Sequence, residues 1–175
     1  PLIAGVEHRV IVLQGRALCA YEKTPLMVTG DGVLTLAALV AQARAGAKPT
    51  TATLAPPKTA QAQDETGRPW RGADIPAAGL RLSVIGPQNR SAGGDAKAVF
   101  APAPAALAAI GEAAAAALGL SFAGVDVFDR SAAADLSDLC VIEANASPAL
   151  MTLEAHGRMD LIETVWTANL KAAFG

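Results

Sequence analysis

The sequence predicts an α+β fold, a largely antiparallel sheet flanked by helices. Three observations lead there. The chain opens on two apolar runs separated by a turn signal, the pattern of a β-hairpin. Two further apolar runs, Phe122 to Phe128 and Leu139 to Glu143, read as strands adjacent in one sheet. Helical periodicity appears in separate blocks between strand groups and does not alternate strictly with single strands, which argues against a doubly wound parallel sheet.

In chain order, His8 to Gln14 carries Val10, Ile11, Val12 and Leu13 and reads as a strand. Gly15-Arg16 is a turn signal, and Ala17 to Tyr21 is the returning strand. Thr24-Pro25 breaks the run, and Gly30-Asp31-Gly32 is a strong turn. A helix is expected from Leu34 to Ala45, with Leu36, Leu39 and Val40 on one face. Residues 46–79 hold Pro49, Pro56, Pro57, Pro69 and Pro76 and read as a loop insertion. Leu80 to Ile85 is a strand, Gly86 to Asp95 a loop with three glycines, and Ala98 to Phe100 a short strand. Pro104 opens a helix running to Leu118, and Gly119 stops it. The last helix is expected from Asp160 to Ala173, with Leu161, Ile162, Val165, Trp166 and Leu170 as its buried stripe.

Composition narrows the function. The 175 residues are 52% hydrophobic, enough for a core, although alanine runs such as Ala113 to Ala117 inflate that figure. The net charge of −2, from 14 basic and 16 acidic residues, gives no electrostatic reason to expect a nucleic-acid partner. No apolar stretch has the length of a membrane span, and no basic-then-apolar leader opens the chain. Cys19 and Cys140 both fall in strand-like runs, which suits two buried thiols in a reducing cytoplasm. With His8 and His156 far apart, no zinc-type ligand spacing exists.

Polar side chains inside apolar strands are the features that call for chemistry. Asp126 interrupts Phe122-Ala123-Gly124-Val125-Asp126-Val127-Phe128, and Glu143 and Asn145 end the following strand run. A buried carboxylate is costly unless it is paired or holds a cation. Period two puts Glu143 and Asn145 on one face, and an adjacent Asp126 would complete an all-oxygen set suited to magnesium. The alternative is strand-end polar residues at a sheet edge. Asn89-Arg90-Ser91-Ala92-Gly93-Gly94-Asp95 is small enough to bring backbone N–H groups to an anion, with Arg90 adding charge, or else is a simple turn. Arg9 shares a strand face with Glu7, and Lys23 ends the partner strand; each is placed to meet a phosphate or to be a solvated surface charge.

Taken in order, these segments resemble the ATP-grasp superfamily, and within it the branch of cyanophycin synthetase and related amino-acid or peptide ligases. Glu7 to Leu13 looks like that branch's opening strand. Tyr21 to Gly32 is similar to its segment ending Val-X-Gly-Asp-Gly. Ile75-Pro76-Ala77-Ala78-Gly79 looks like the stretch before its Gly-Gly loop. Ala123 to Val127 and Glu143 to Pro148 are similar to its two metal motifs. The likeness spans nearly the whole chain and implies the carboxy-terminal catalytic part of the fold, with the amino-terminal portion not found in these residues. It implies ATP as cosubstrate and magnesium bound by Asp126, Glu143 and Asn145. Ser91, Gly93, Gly94 and Lys23 would lie at the phosphates, and Arg90 or Arg9 would stabilise developing charge. The implied reaction is ATP-dependent joining of a carboxylate to an amine through an acyl phosphate, on small amino-acid or peptide substrates, in the cytoplasm, with a homo-oligomer open. The alternative is a non-catalytic module that binds nucleotide, metal or a partner protein. The sequence departs from the family pattern at Lys23, Arg90, Ala92 and Ala149, positions that bear on substrate identity more than on metal binding.

Overall fold

A computed structural model describes residues 5–46, 60–86 and 94–174. The chain divides into two units, residues 1–23 with 96–175, and residues 24–95.

The first unit is built on a five-stranded sheet. Its strands are β1 (Val6–Leu13), β2 (Arg16–Thr24), β7 (Asp95–Phe100), β8 (Phe122–Asp129) and β9 (Leu139–Asn145), in the order β7-β2-β1-β8-β9. The hairpin forms as expected, one residue earlier: Gln14 and Gly15 both take positive φ, the geometry whose twist matches that of antiparallel strands. β1 also pairs antiparallel with β8, placing Val10 opposite Val125 and Arg9 opposite Asp126. β8 pairs antiparallel with β9. A segment late in the chain is thereby brought against the opening strand.

Strand alternation gives this sheet two apolar faces. One buries Val10, Val12, Ala20, Ala123, Val125 and Val127 beneath α2 (Ala105–Ala117). Gly111 permits that contact, since a Cβ there would stand 2.7 Å from Val10 Cγ1. Pro104 precedes the helix and Gly119 follows it at φ +65°, as the punctuation of the sequence implies. The other face buries Ile11, Cys19, Tyr21 and Ala96 with Leu153 of α3 (Met151–Ala155) and Leu161 of α4 (Met159–Phe174). α3 is too short for periodicity to reveal.

The expected stripe on α4 is corrected by the structure. Leu161 and Val165 are buried and Ile162 half-buried, but Trp166 and Leu170 are 58% and 53% exposed. A helix contacting its own sheet over only its first turns needs just the Leu161/Val165 edge, whatever its full apolar periodicity. Cys140 likewise is half-buried rather than buried, and both thiols are free.

The second unit holds β3 (Met27–Thr29), α1 (Leu36–Gly46), β4 (Gln61–Gln63), β5 (Pro69–Arg71) and β6 (Arg81–Val84), with sheet order β3-β6-β4-β5. Its core joins Val28, Leu36, Val40, Ala62, Leu82 and Val84. Part of the stretch expected to be a loop insertion therefore carries strands. Three residues each, they are too short for period two to mark in a Pro-rich context. Two of the motif segments meet here. The Gly30 N–H donates to Leu80 O at 2.8 Å and Gly79 N–H to Gly30 O at 2.9 Å. A Cβ on Gly30 would stand 2.3 Å from the Ala77 carbonyl oxygen. Asp31 accepts from the Val33 and Leu34 N–H groups, at 2.8 and 2.7 Å, and ends the clasp just before α1.

Candidate functional site

Four side chains line one row across the first sheet. Tyr21 is the register partner of Arg9, Arg9 of Asp126, and Asp126 of Glu143. Because directly opposed residues share a face, the row runs from β2 to β9 on the side away from α2. Ala144 packs toward α2, so Glu143 and Asn145 point the other way, as period two requires.

The centre of the row is a buried charge cluster. Arg9 donates from Nε to Asp126 Oδ1 at 2.6 Å and from Nη2 to Oδ2 at 2.7 Å, a bidentate pair. Lys23 donates to Asp126 Oδ2 at 2.8 Å and also to Glu7 Oε1. Asp126 is 2% exposed and the Lys23 side chain 4%. Such burial is tolerable because every charge in the cluster has an opposite partner. Burial pulls the Arg9 guanidinium down, yet the hydrogen bonds and charge of Asp126 outweigh it and raise it above its ordinary value. Burial drives the Tyr21 hydroxyl up against the opposing pull of Arg9 and Thr152. Tyr21 therefore stays a neutral phenol beside Arg9, and it packs with Leu153 of α3.

Local chemistry fixes where β9 arrives. Asp129 is fully buried and accepts from Ser131 N–H at 3.0 Å, Ser131 Oγ–H at 2.6 Å and Leu136 N–H at 2.9 Å. Burial opposes its ionisation, but these bonds prevail and hold its carboxyl below the usual range. They shape the 130–138 connection that returns the chain into β9. A register shift follows between Asp126 and Val127, and it sets Glu143 directly against Asp126. Beyond β9, Pro148 is buried against Gly124, where a Cβ would stand 2.7 Å from Pro148 Cβ and 3.5 Å from Arg9 Cδ. Glycine is required in Ala123-Gly124-Val125-Asp126 so that the Ser147-Pro148 turn can sit on the strand.

Of the residues singled out in the sequence, Arg9, Lys23 and Asp126 come together, with Glu143 exposed beside them and Asn145, half-buried, opposite Gly124. Arg9 and Lys23 are cluster members and not solvated surface charges. Gly94 is buried just ahead of β7, while Arg90, Ser91 and Gly93 lie outside the described residues. Glu7 and Tyr21 emerge as cluster residues that had no assigned role; the period-two spacing of Glu7 from Arg9 was the one available sign. Among the described residues no three His, Cys, Asp or Glu side chains gather so as to hold a metal, so the Asp126/Glu143 pair depends on the amide oxygen of Asn145 for a third donor. Among the same residues, no helix is long and apolar enough to cross a membrane.

Comparison with known proteins now bears on this arrangement. No family model matches the chain, and no curated protein matches it. Among solved structures, it is similar to the crystal structure of a bifunctional glutathione synthetase from Pasteurella multocida, with a TM-score of 0.51 and 22% identity over 95% of this chain. The fold is ATP-grasp-like. The match covers 25% of that protein, so the chain spans about a quarter of its length. At this identity the likeness speaks to the ATP-grasp-like fold alone, the α+β architecture with antiparallel sheets and flanking helices.

Proposed function

We propose that the chain is the carboxy-terminal, metal-binding part of an ATP-dependent carboxylate–amine ligase, of the branch that includes cyanophycin synthetase and related amino-acid or peptide ligases. One observation carries the reading: a buried, bidentate Arg9–Asp126 pair lies in register beside an exposed carboxylate, Glu143, with Asn145 two residues on. Around it, an ATP-grasp-like fold and the ordered motif segments point the same way.

The donor set suits a hard divalent cation. Asp126, Glu143 and Asn145 offer only oxygen, and Asp126 keeps lone-pair capacity beyond the three hydrogen bonds it accepts. Magnesium held there would neutralise phosphate charge during phosphoryl transfer. Arg9 and Lys23 orient the Asp126 carboxylate. By resemblance, Arg90, Ser91, Gly93 and Gly94 would serve the phosphates and the acid. In the overall reaction the terminal phosphoryl group of ATP passes to the substrate carboxylate, releasing ADP. The amine then attacks the acyl carbon, phosphate leaves with the bonding electrons, and the amine loses a proton. The protein sharing the fold is titled a bifunctional glutathione synthetase, and amino-acid or small-peptide substrates are our proposal here.

A second reading is favoured by the completeness of the cluster: Arg9 and Lys23 already neutralise Asp126 without a metal. On that reading the chain is a non-catalytic module that binds nucleotide, metal or a partner. The two separate in one assay, magnesium-dependent ADP release by the longest natural form against pools of amino acids and small peptides. The ligase reading expects release that needs both an acid and an amine, and loss of it in Glu143→Gln with the fold intact. Turnover unchanged in Glu143→Gln would sink the ligase assignment.

A further inference from the structure

We propose that Glu7 is a positioning residue that sets the charge balance behind the metal-binding face. This inference rests on the reading of Asp126, Glu143 and Asn145 as ligands of a divalent cation.

Among the described residues, the cluster holds two cations, Arg9 and Lys23, and two carboxylates, Glu7 and Asp126. Their formal charges sum to zero. Lys23 is shared: its ammonium donates to Glu7 on one side and to Asp126 on the other. Glu7 is 12% exposed and Asp126 2%, so neither carboxylate can be replaced by bulk water. Glu7 draws Lys23 toward β1 and offsets one of the two cations bearing on Asp126. Asp126 can then keep its two neighbours and still present negative potential toward Glu143. Without the charge of Glu7, two cations would face one carboxylate, and the whole cluster would oppose a divalent ion. Glu7 touches neither reacting group; it acts through Lys23 and Asp126.

Charge balance makes a prediction that packing does not. Glu7→Gln keeps the shape and hydrogen-bonding reach but leaves the cluster at net positive. Lys23→Met leaves it net negative. The double variant returns it to neutral while removing both partners of one ion pair.

The probe is Mn2+, titrated in the presence of a non-hydrolysable ATP analogue into the longest natural form and followed by the electron-spin resonance of free Mn2+. We expect Glu7→Gln to weaken Mn2+ binding about tenfold, the scale of one unit charge acting on a divalent ion across one or two strands. The double variant should return to within about threefold of the unsubstituted protein. Should Glu7→Gln fail to fold, Lys23→Met should bind Mn2+ about tenfold more tightly, by the same charge argument. Unchanged binding in Glu7→Gln, a double variant as weak as the single, or unaltered binding in Lys23→Met overturns the proposal while leaving the metal site standing. Absence of Mn2+ binding by the unsubstituted protein overturns the metal-site reading itself, and this inference with it.

Discussion

Replacing Arg9 by methionine separates a buried ion cluster from a surface one. The two side chains have similar length and apolar stems, so packing is largely kept. The charge-assisted bonds at 2.6 and 2.7 Å disappear. Among the described residues, Asp126, 2% exposed, is then left with Lys23 alone, which it shares with Glu7, so one ammonium serves both carboxylates. Breaking a buried pair by removing one partner costs about 3–5 kcal/mol, whereas removing an exposed pair costs about 0–1 kcal/mol. The unit concerned has 23 residues from the first segment and 80 from the second, 103 in all. At roughly 4 °C or more per kcal/mol for a domain of that size, Arg9→Met should lower the melting temperature by about 12 °C or more. Adding Asp126→Leu removes the stranded carboxylate, so the double variant should be more stable than Arg9→Met alone. Chemical denaturation and calorimetry measure both. A cost below about 1 kcal/mol for Arg9→Met, or a double variant less stable than the single, would refute the buried-cluster argument.

Three other outcomes follow from the same structure. Gly124→Ala should cost about 1–3 kcal/mol by overpacking against Pro148, seen by denaturation, and should weaken Mn2+ binding as the turn after Asn145 is displaced. His8 is buried, its Nδ1 has no hydrogen-bond partner among the described residues, and burial lowers its pKa against the pull of Glu22 and Asp129. The unfolded chain therefore binds the extra proton first. Stability should be full above the ordinary histidine value of about 6.5 and decline as pH falls below it, a slope that urea titrations should find flattened in His8→Gln. Trp166→Gln should change stability by no more than about 0.5 kcal/mol, because the ring is 58% exposed; a loss of about 3 kcal/mol would restore the full apolar stripe of α4 to the core.

Much of the molecule is legible before folding because its signals are short-range. The hairpin, α1, α2, β8 and β9 each follow from local periodicity and from punctuation by Gly and Pro, and the paired placement of Glu143 and Asn145 follows from the pleat. Asp126 stood out as a carboxylate in an apolar strand, which is a local anomaly. The partners of that carboxylate could not be found the same way. Arg9 lies 117 positions from Asp126 and Lys23 lies 103 away. Nothing in either local segment distinguishes a buried cation from a solvated one. Only the strand order, with β1 between β2 and β8, fixes their neighbours. The same limit explains α4: sequence defines an apolar stripe, but the extent of the surface it meets decides how much of that stripe is covered. Sequence thus determined which residues carry charge and which strand face they share. Tertiary structure decided that four of those charges neutralise one another out of water, since burial and pairing belong to the assembled sheet and not to any segment of it.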